Sequence, residues 1–334
     1  MVGRNIRALL VAFFLTMLAW DAAGQATRIS GLIQPLGNIR ATSFQTTPNG
    51  LNTVFIADAD TDQTDELYVV PAGGGARVKI SAAIPTGPVV SFKLTPDSNR
   101  AVFLVQTSAV PNRFELYAVS LDGSQLHNLS GAIVAGGSLF NAHLITSDST
   151  RVVFYGNKDS TTQSELYSVS ITGGGTTKLN STMLGDVQFG FTLSPDSTRA
   201  VYYANADNFN VVELYSAVVT AAGAPIKLSG TIVAGGNVTA LFDVSADSSR
   251  VVFRADKDTD NKIELYATNS GGLVMDIDGN GVVDALTDGL LLIRWQFGLK
   301  GPGLIANAIG PNATRNTAAL VEAYLTKLDT APGP

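Results

Sequence analysis

The stretch Leu193–Val219, LSPDSTRAVYYANADNFNVVELYSAVV, contains a turn signal, a strand-like run and a Glu-Leu-Tyr triplet, in that order. The stretch Thr146–Ser170, TSDSTRVVFYGNKDSTTQSELYSVS, has the same order of features. The triplet occurs five times, at intervals of 48 to 51 residues, which is typical of a repeat architecture. The five triplets begin at Glu66, Glu115, Glu165, Glu213 and Glu264.

Each repeat predicts a four-stranded antiparallel meander. Its second strand is rich in Val, Phe and Tyr, which suit a largely buried pleated surface. Pro96-Asp97-Ser98 and its equivalents precede that strand, and an Asp there can bond the backbone two residues on. A short strand of the type Lys79-Ile80-Ser81 ends each of the first four repeats. A ring of such sheets buries the faces that one sheet leaves exposed, so we predict a mainly β fold, a five-bladed β-propeller.

Ring closure is predicted from the two ends of the repeat region. The fifth repeat ends after Glu264–Ser270 and lacks its short fourth strand, whereas Thr27–Gly31 is an unassigned strand of that type. Pairing these two segments would remove both exposed sheet edges.

Residues 28–270 resemble the propeller repeats of the TolB type, on the Ser-Pro-Asp turn, the short β-rich strand and the Glu-Leu-Tyr strand quoted above. The resemblance implies a propeller whose ligands bind on the face that carries the longer connections. Members of that repeat family serve as scaffolds, binding platforms or enzyme accessories, so the resemblance indicates the fold and leaves the ligand open.

The N-terminus predicts export. Arg4 and Arg7 precede an apolar run, Ala8–Trp20, and small residues follow, which is the order of a secretory signal peptide. We predict a signal peptide over 1–26, a propeller over 27–272 and a small module over 273–334. The protein is then secreted to the periplasm or beyond, with no membrane span after cleavage. The alternative is that the N-terminal segment is retained as a membrane anchor. A net charge of −6 without a basic cluster argues against nucleic acid, and the chain has no cysteine for disulfides or thiol chemistry.

Two acidic loops are predicted on the long-connection face. They belong to the first and fifth repeats, which ring closure would make neighbours. One interpretation is a pair of hydrated turns that use side-chain-to-backbone hydrogen bonds. The other is a patch that binds a cation or a basic partner, because clustered oxygen ligands suit hard cations. The residues are Asp58, Asp60, Asp62, Asp256, Asp258 and Asp260, with Asp65 nearby.

Residues 276–284, DIDGNGVVD, match the beginning of an EF-hand calcium loop. Side-chain oxygens stand at positions 1, 3, 5 and 9, Gly281 at position 6, and a backbone carbonyl is expected at position 7. Position 12 is Thr287, and the carboxylate follows one residue later. Apolar spacing predicts helices over 287–297 and 317–328. The predicted Ca²⁺ ligands are Asp276, Asp278, Asn280, Val282, Asp284 and Asp288.

Residues 274–328 resemble the dockerin-like calcium modules at the C-termini of secreted bacterial proteins. The resemblance implies Ca²⁺ as cofactor and a cohesin-like or other protein partner for the tail. The second loop, residues 310–314, has no acidic residue, so we expect one metal site. A metal-free turn is the alternative interpretation.

No catalytic constellation is evident. Of the predicted inner-strand positions only Asp243 is acidic, so no general acid/base pair lines the axis. The glutamates of the triplets recur in every repeat, which favours a structural role, and His143 is more consistent with packing than with catalysis. We therefore predict a non-catalytic binding protein with a protein or glycan ligand. The alternative is a carbohydrate-active role, as lectin or glycosidase accessory. The inner-strand positions are Gln45, Lys93, Leu144, Thr192 and Asp243.

Overall fold

The computed structural model describes residues 26–84, 87–109, 112–271, 275–280, 283–311 and 313–330. The predicted signal peptide before residue 26 lies outside the described residues, and so do Gly281 and Val282 of the calcium loop. Within the described residues, no helix is long and apolar enough to cross a membrane.

The repeats form five consecutive antiparallel sheets, as predicted. Sheet 1 contains β1 (Ile39–Thr46), β2 (Asn52–Ala57), β3 (Glu66–Pro71) and β4 (Val78–Lys79). Sheet 2 contains β5 (Val89–Leu94), β6 (Arg100–Ala109), β7 (Asn112–Ser120) and β8 (Leu126–Asn128). Sheet 3 contains β9 (Leu139–Ile145), β10 (Arg151–Gly156), β11 (Glu165–Ser170) and β12 (Thr177–Lys178). Sheet 4 contains β13 (Val187–Leu193), β14 (Arg199–Ala204), β15 (Glu213–Val218) and β16 (Ile226–Lys227). Sheet 5 contains β17 (Val238–Val244), β18 (Arg250–Ala255) and β19 (Glu264–Asn269).

Aromatic pairs mark the same register in every sheet. In sheet 3, Phe154 of β10 lies opposite Tyr167 of β11, and their ring centroids are 5.4 Å apart. Such cross-strand pairs contribute to strand pairing beyond their burial. The equivalent pairs are Phe55–Tyr68, Phe103–Tyr117, Tyr202–Tyr215 and Phe253–Tyr266, at 5.6, 6.0, 5.9 and 5.7 Å.

The turns before the second strands form as predicted and also link neighbouring sheets. The backbone N–H of Asn99 donates to Asp97 Oδ1 at 3.0 Å, two residues on from the acid. In sheets 2 to 5 the Ser after the acid has a positive φ, which is 64° at Ser98. Its hydroxyl accepts a hydrogen bond from a backbone N–H group of the preceding sheet. The sequence did not reveal this second role. The links are Asn49 N to Ser98 Oγ, Asp97 N to Ser149 Oγ, Ser147 N to Ser197 Oγ and Asp196 N to Ser248 Oγ, at 3.0, 3.0, 2.9 and 3.0 Å.

The core lies between successive sheets. We call the face of a sheet that lies against the next sheet its forward face, and the opposite side its backward face. At each of the four junctions a Leu of the Glu-Leu-Tyr triplet enters the apolar cluster with its forward neighbour. These residues are Leu67, Leu116, Leu166 and Leu214, all 0 or 1% exposed.

The predicted closing strand does not form in this structure. Residues 27–31 are not in a strand, and sheet 5 has three strands. Ile29 and Ile33 pack instead against sheet 1, beside Phe55 and Tyr68. The guanidinium of Arg77 donates to the carbonyls of Ser30 and Leu32 and holds the segment there. The forward face of sheet 5 is therefore open.

The C-terminal segment forms three helices, α1 (Asp288–Gln296), α2 (Pro302–Ile305) and α3 (Ala318–Thr330). The two predicted helices are confirmed within two residues at each end, whereas α2 was not predicted. Ile277, Leu291, Leu304 and Val321 are fully buried in one cluster. Ile293 is 55% exposed, because it lies on the opposite side of α1 from the cluster.

The two groups of connections lie at opposite ends of the sheets. In sheet 5, the register places Ala255 opposite Glu264 at the acidic-loop end and Arg250 opposite Asn269 at the turn end. The chain leaves β19 at the turn end, where Gly271 lies against Ile226 of sheet 4. The acidic loop of sheet 5 is therefore separated from this junction by the full length of β19.

Candidate metal centre and loop face

Three carboxylates of the C-terminal segment converge. Asp276, Asp278 and Asp288 each place one oxygen within 4.8 Å of the others, and all three residues are buried. Asp278 is 0% exposed and Asp288 is 1% exposed. Within the described residues this is the one group of three or more potential metal ligands. An all-oxygen set of carboxylates suits a hard cation such as Ca²⁺.

Asp288, predicted as a ligand although it follows position 12 by one residue, lies in the group of three. It begins α1, and its carboxylate turns back over the loop and accepts the N–H groups of Ile277 at 2.6 Å, Asp278 at 3.1 Å and Asp284 at 3.0 Å. Thr287, at position 12, donates its hydroxyl to Asp284. The loop therefore accommodates one extra residue, and the carboxylate after position 12 reaches the cluster.

The backbone of the second loop and the guanidinium of Arg315, which follows it, brace the first loop. Gly310 N–H donates to Asp278 Oδ2 at 2.6 Å, and Arg315 donates to the carbonyls of Ile277 and Asp276. A side chain at Gly310 would lie 2.2 Å from Asn280 Nδ2 and 3.0 Å from Asp278 Oδ2. A larger residue at Gly310 would therefore have to displace the Asn280 amide and press on the Asp278 carboxylate.

Two other predicted ligands lie differently. Asp284 is outside the group of three: its carboxylate accepts the N–H groups of Leu286 and Thr287, each at 2.8 Å, and the Thr287 hydroxyl. These hydrogen bonds, led by that of the hydroxyl, lower the pKa of Asp284. Asn280 lies beside Asp278, with its Nδ2 3.5 Å from Asp278 Oδ2. Val282 lies outside the described residues.

On the long-connection face, the first Asp of each acidic loop accepts a hydrogen bond from a backbone N–H group. Asp58 Oδ1 accepts Asn38 N–H at 2.5 Å, and Asp256 Oδ1 accepts Asn237 N–H at 2.6 Å. These bonds are the first cause of the lowered pKa of both carboxyls. Asn157 holds the same position in sheet 3 and accepts Ser138 N–H at 3.0 Å. For Asp58 and Asp256 the turn interpretation therefore has direct support.

The remaining acids of the two loops are exposed. Asp60 pairs with Arg77 at 2.6 Å and with Lys79 at 3.7 Å, and Asp258 pairs with Lys257 at 2.7 Å. Asp62 and Asp260 are exposed at the loop tips. Because sheets 1 and 5 do not close into a ring here, the structure does not bring the two loops into one patch.

The recurrent glutamates stabilise the sheets, as the repetition indicated. Glu213 accepts the hydroxyl of Tyr215 at 2.6 Å and pairs with Lys227 of β16. In sheet 1, Glu66 accepts Tyr68 at 2.8 Å and pairs with Lys79 at 2.8 Å. In sheets 1 to 4 the carboxylate thus joins the third strand of its sheet to the fourth.

His143 is an exception to the repeat. It lies opposite Phe154, at the position that Phe44, Phe92, Phe191 and Phe242 hold in the other sheets. Its side chain is 4% exposed, and its Nε2 has no hydrogen-bond partner within the described residues. Burial and then the nearby charge of Lys93 lower the pKa of His143 to about 3, although the hydrogen bond that His143 donates to the carbonyl of Val102 raises it.

We expect His143→Phe to raise the free energy of unfolding by about 1–3 kcal/mol, because it removes a buried unpaired polar atom. The substitution should also remove an acid sensitivity. The unfolded imidazole binds a proton near pH 6.5, and the folded one only near pH 3. Wild-type stability therefore falls as the pH falls through this window, by up to about 1.4 kcal/mol per pH unit. Urea unfolding at pH 7 and pH 5 measures both effects. Equal pH slopes in the two proteins would contradict the buried neutral state.

Comparisons with known proteins concern the fold. No family model matches the chain, and no curated protein matches it. A TolB-like protein of Agrobacterium tumefaciens is 16% identical, with a TM-score of 0.39, over 69% of this chain and 77% of that chain. The β-propeller domain of the Trilobed protease of Pyrococcus furiosus is 11% identical, with a TM-score of 0.41, over 71% and 70%. Dipeptidyl peptidase 4 of Porphyromonas gingivalis is 13% identical, with a TM-score of 0.52, over 71% of this chain and 38% of that chain. The similarity with a TM-score of 0.52 agrees with the five consecutive meanders in supporting a β-propeller fold, and says nothing about activity.

Proposed function

We propose that this chain is a secreted, non-catalytic binding protein whose C-terminal segment binds one Ca²⁺ ion. The observation that carries the proposal is the convergence of Asp276, Asp278 and Asp288, all buried and within 4.8 Å of one another. Three carboxylates at this separation repel one another, and a divalent cation offsets that repulsion. Bound there, Ca²⁺ would supply no chemistry beyond charge, and would hold the loop against the beginning of α1.

The residues present fit such an ion. The donor set is all oxygen, and the backbone N–H groups of Ile277 and Gly310 keep two of the three carboxylates in place. Asn280 could add its amide oxygen after rotation of its amide group. Asp284 is the less suitable ligand, because its carboxylate lies outside the group of three.

We expect calcium to raise the thermal midpoint of the wild-type C-terminal segment through one site. At a free Ca²⁺ concentration of about 100 times the Kd, binding to the folded state would raise the free energy of unfolding by about 2.7 kcal/mol. Calorimetry and isothermal titration of the full chain, with calcium and with chelator, measure the shift and the stoichiometry. Asp276→Ala with Asp278→Ala should abolish both signals.

Asp284→Ala is the matched control for the calcium experiment. It removes an acid of the same loop that lies outside the group of three carboxylates, so most of the calcium effect should remain. Absence of any calcium-dependent shift in the wild type would show that the loop is a metal-free turn.

For the propeller, we propose that the ligand binds on the long-connection face, where exposed acidic side chains favour a cation or a basic partner. Asp62→Asn with Asp260→Asn removes charge from the loop tips and leaves Asp58 and Asp256 to hold the turns. Affinity for a lysine-rich peptide, measured at low and high salt, should fall at least several-fold in the double variant. Unchanged affinity would exclude the loop tips from the site. Reducing ends released from polysaccharides would instead favour the carbohydrate-active alternative.

A further inference from the structure

The forward face of sheet 5 is exposed where its four equivalents are buried. Leu265 is 72% exposed, whereas the Leu at this position in sheets 1 to 4 is 0 or 1% exposed. Val252 is 40% exposed, and its equivalents Val54, Val102, Val153 and Val201 are all 0% exposed. An open strand edge with apolar side chains beside it is a site for pairing with another strand.

The four complete sheets show what fits this edge. In sheet 1, Ile80 donates its N–H to the carbonyl of Leu67 at 2.9 Å, and Ser81 Oγ accepts the N–H of Leu67 at 3.0 Å. An Ile or Leu followed by Ser or Asn makes the same pair of bonds in the other three sheets. These residues are Leu129-Ser130 on Leu116, Leu179-Asn180 on Leu166 and Leu228-Ser229 on Leu214.

Charge completes the match. In sheets 1, 3 and 4 a Lys precedes the apolar residue and pairs with the Glu of the triplet, as Lys79 does with Glu66 at 2.8 Å. Arg28-Ile29-Ser30 has the same order of basic, apolar and hydroxyl residues. Glu264, the corresponding acid of sheet 5, is 42% exposed at its side chain.

We propose that the open edge of β19 binds residues 28–31 of a second copy of this chain. In this structure the segment lies on sheet 1, at the opposite end of the repeat series from β19. Each chain therefore carries the binding segment at one end and the open strand edge at the other. Complementary surfaces at the two ends of one molecule associate head to tail.

The sheet 5 to sheet 1 junction also lacks the turn link of the other four. Gly50 stands where Ser98, Ser149, Ser197 and Ser248 supply a hydroxyl to the preceding sheet. Without this bond the junction depends on the 28–31 segment alone, so we expect association to be reversible and concentration-dependent.

Charge reversal tests the proposal. Sedimentation velocity of the wild type should show assemblies that dissociate on dilution. Arg28→Glu and Glu264→Lys should each reduce association at least tenfold, because each places like charges at the junction. An equimolar mixture should restore association, because every junction between the two variants then joins an acidic and a basic residue. Lys300→Glu reverses an exposed charge of the C-terminal segment, outside the repeats; it is the control and should associate like the wild type. A wild type that stays monomeric at high concentration, or a mixture that does not associate, overturns the proposal.

An introduced disulfide decides between a second copy and the same chain. The protein has no cysteine, so Ile29→Cys with Leu265→Cys supplies the only pair. Directly opposed residues of an antiparallel pair lie within disulfide range. On a non-reducing gel we expect bands at multiples of the chain mass. A bridge within one chain would show that the ring closes on itself, and the absence of any bridge would show that the segment does not reach β19; either result overturns the proposal.

Discussion

We expect Leu116→Ala to lower the free energy of unfolding by about 2–5 kcal/mol, which is the usual cost of truncating a fully buried Leu. Leu116 is 1% exposed and lies in the cluster between sheets 2 and 3, with Val152 and Phe154. Its truncation removes apolar contact and leaves a cavity that adjacent strands cannot fill without breaking their pairing. Urea unfolding followed by circular dichroism measures the loss.

Leu265→Ala is the matched control, because it makes the same change at the same repeat position. Leu265 is 72% exposed, so at concentrations where the chain is monomeric its truncation should change the free energy of unfolding by less than about 0.5 kcal/mol. A loss equal to that of Leu116→Ala in dilute solution would mean that sheet 1 covers sheet 5 in the single chain.

We expect Glu213→Ala to cost about 2–4 kcal/mol, because it removes a buried carboxylate from charge-assisted bonds. The Glu213 side chain is 5% exposed, and its loss deprives Tyr215 and Lys227 of their common partner. Lys227 keeps its pair with Asp207 at 2.7 Å, which limits the loss. Glu213→Gln retains an acceptor without the charge and should have an intermediate effect.

Glu264→Ala removes the equivalent side chain from sheet 5. There Glu264 is 42% exposed, its neighbour Lys262 is 63% exposed, and the Tyr266 hydroxyl is 3.4 Å away. An exposed pair of this kind contributes at most about 1 kcal/mol. Thermal and chemical unfolding of both variants measure the difference. Equal losses in sheets 4 and 5 would contradict the conclusion that burial gives the Glu-Tyr-Lys contact its strength.

Features that depend on neighbours in the chain were predictable from the amino-acid sequence. The turn at Asp97 forms from a side chain and an N–H two residues apart. The strand around Phe154 follows from a continuous run of Val, Phe and Tyr, and the helix beginning at Asp288 follows from helical apolar spacing. The fivefold recurrence of these signals determined the number of sheets that the structure contains, because each sheet is completed by residues close to it in the chain.

The candidate metal site was predictable in part. Asp276 and Asp278 stand at loop positions whose spacing the EF-hand pattern specifies, and the structure brings both together. Asp288 was also among the predicted ligands, because its carboxylate follows position 12 by one residue. The separation of Asp284 from the group was not predictable, because it depends on the hydrogen bonds that Asp284 accepts at the beginning of α1.

The sequence by itself determined the repeated meander, its turns and the two long helices, because their hydrogen bonds and apolar periods are local. Only the tertiary structure decided how the repeats meet. The link from Asp97 to Ser149 joins residues 52 positions apart, and the same repeat position is buried at Leu116 and exposed at Leu265. The Glu-Leu-Tyr triplet is the same at both positions, so it cannot by itself determine whether its Leu is buried. Burial requires a neighbouring sheet, and only the packing of the whole molecule places one there.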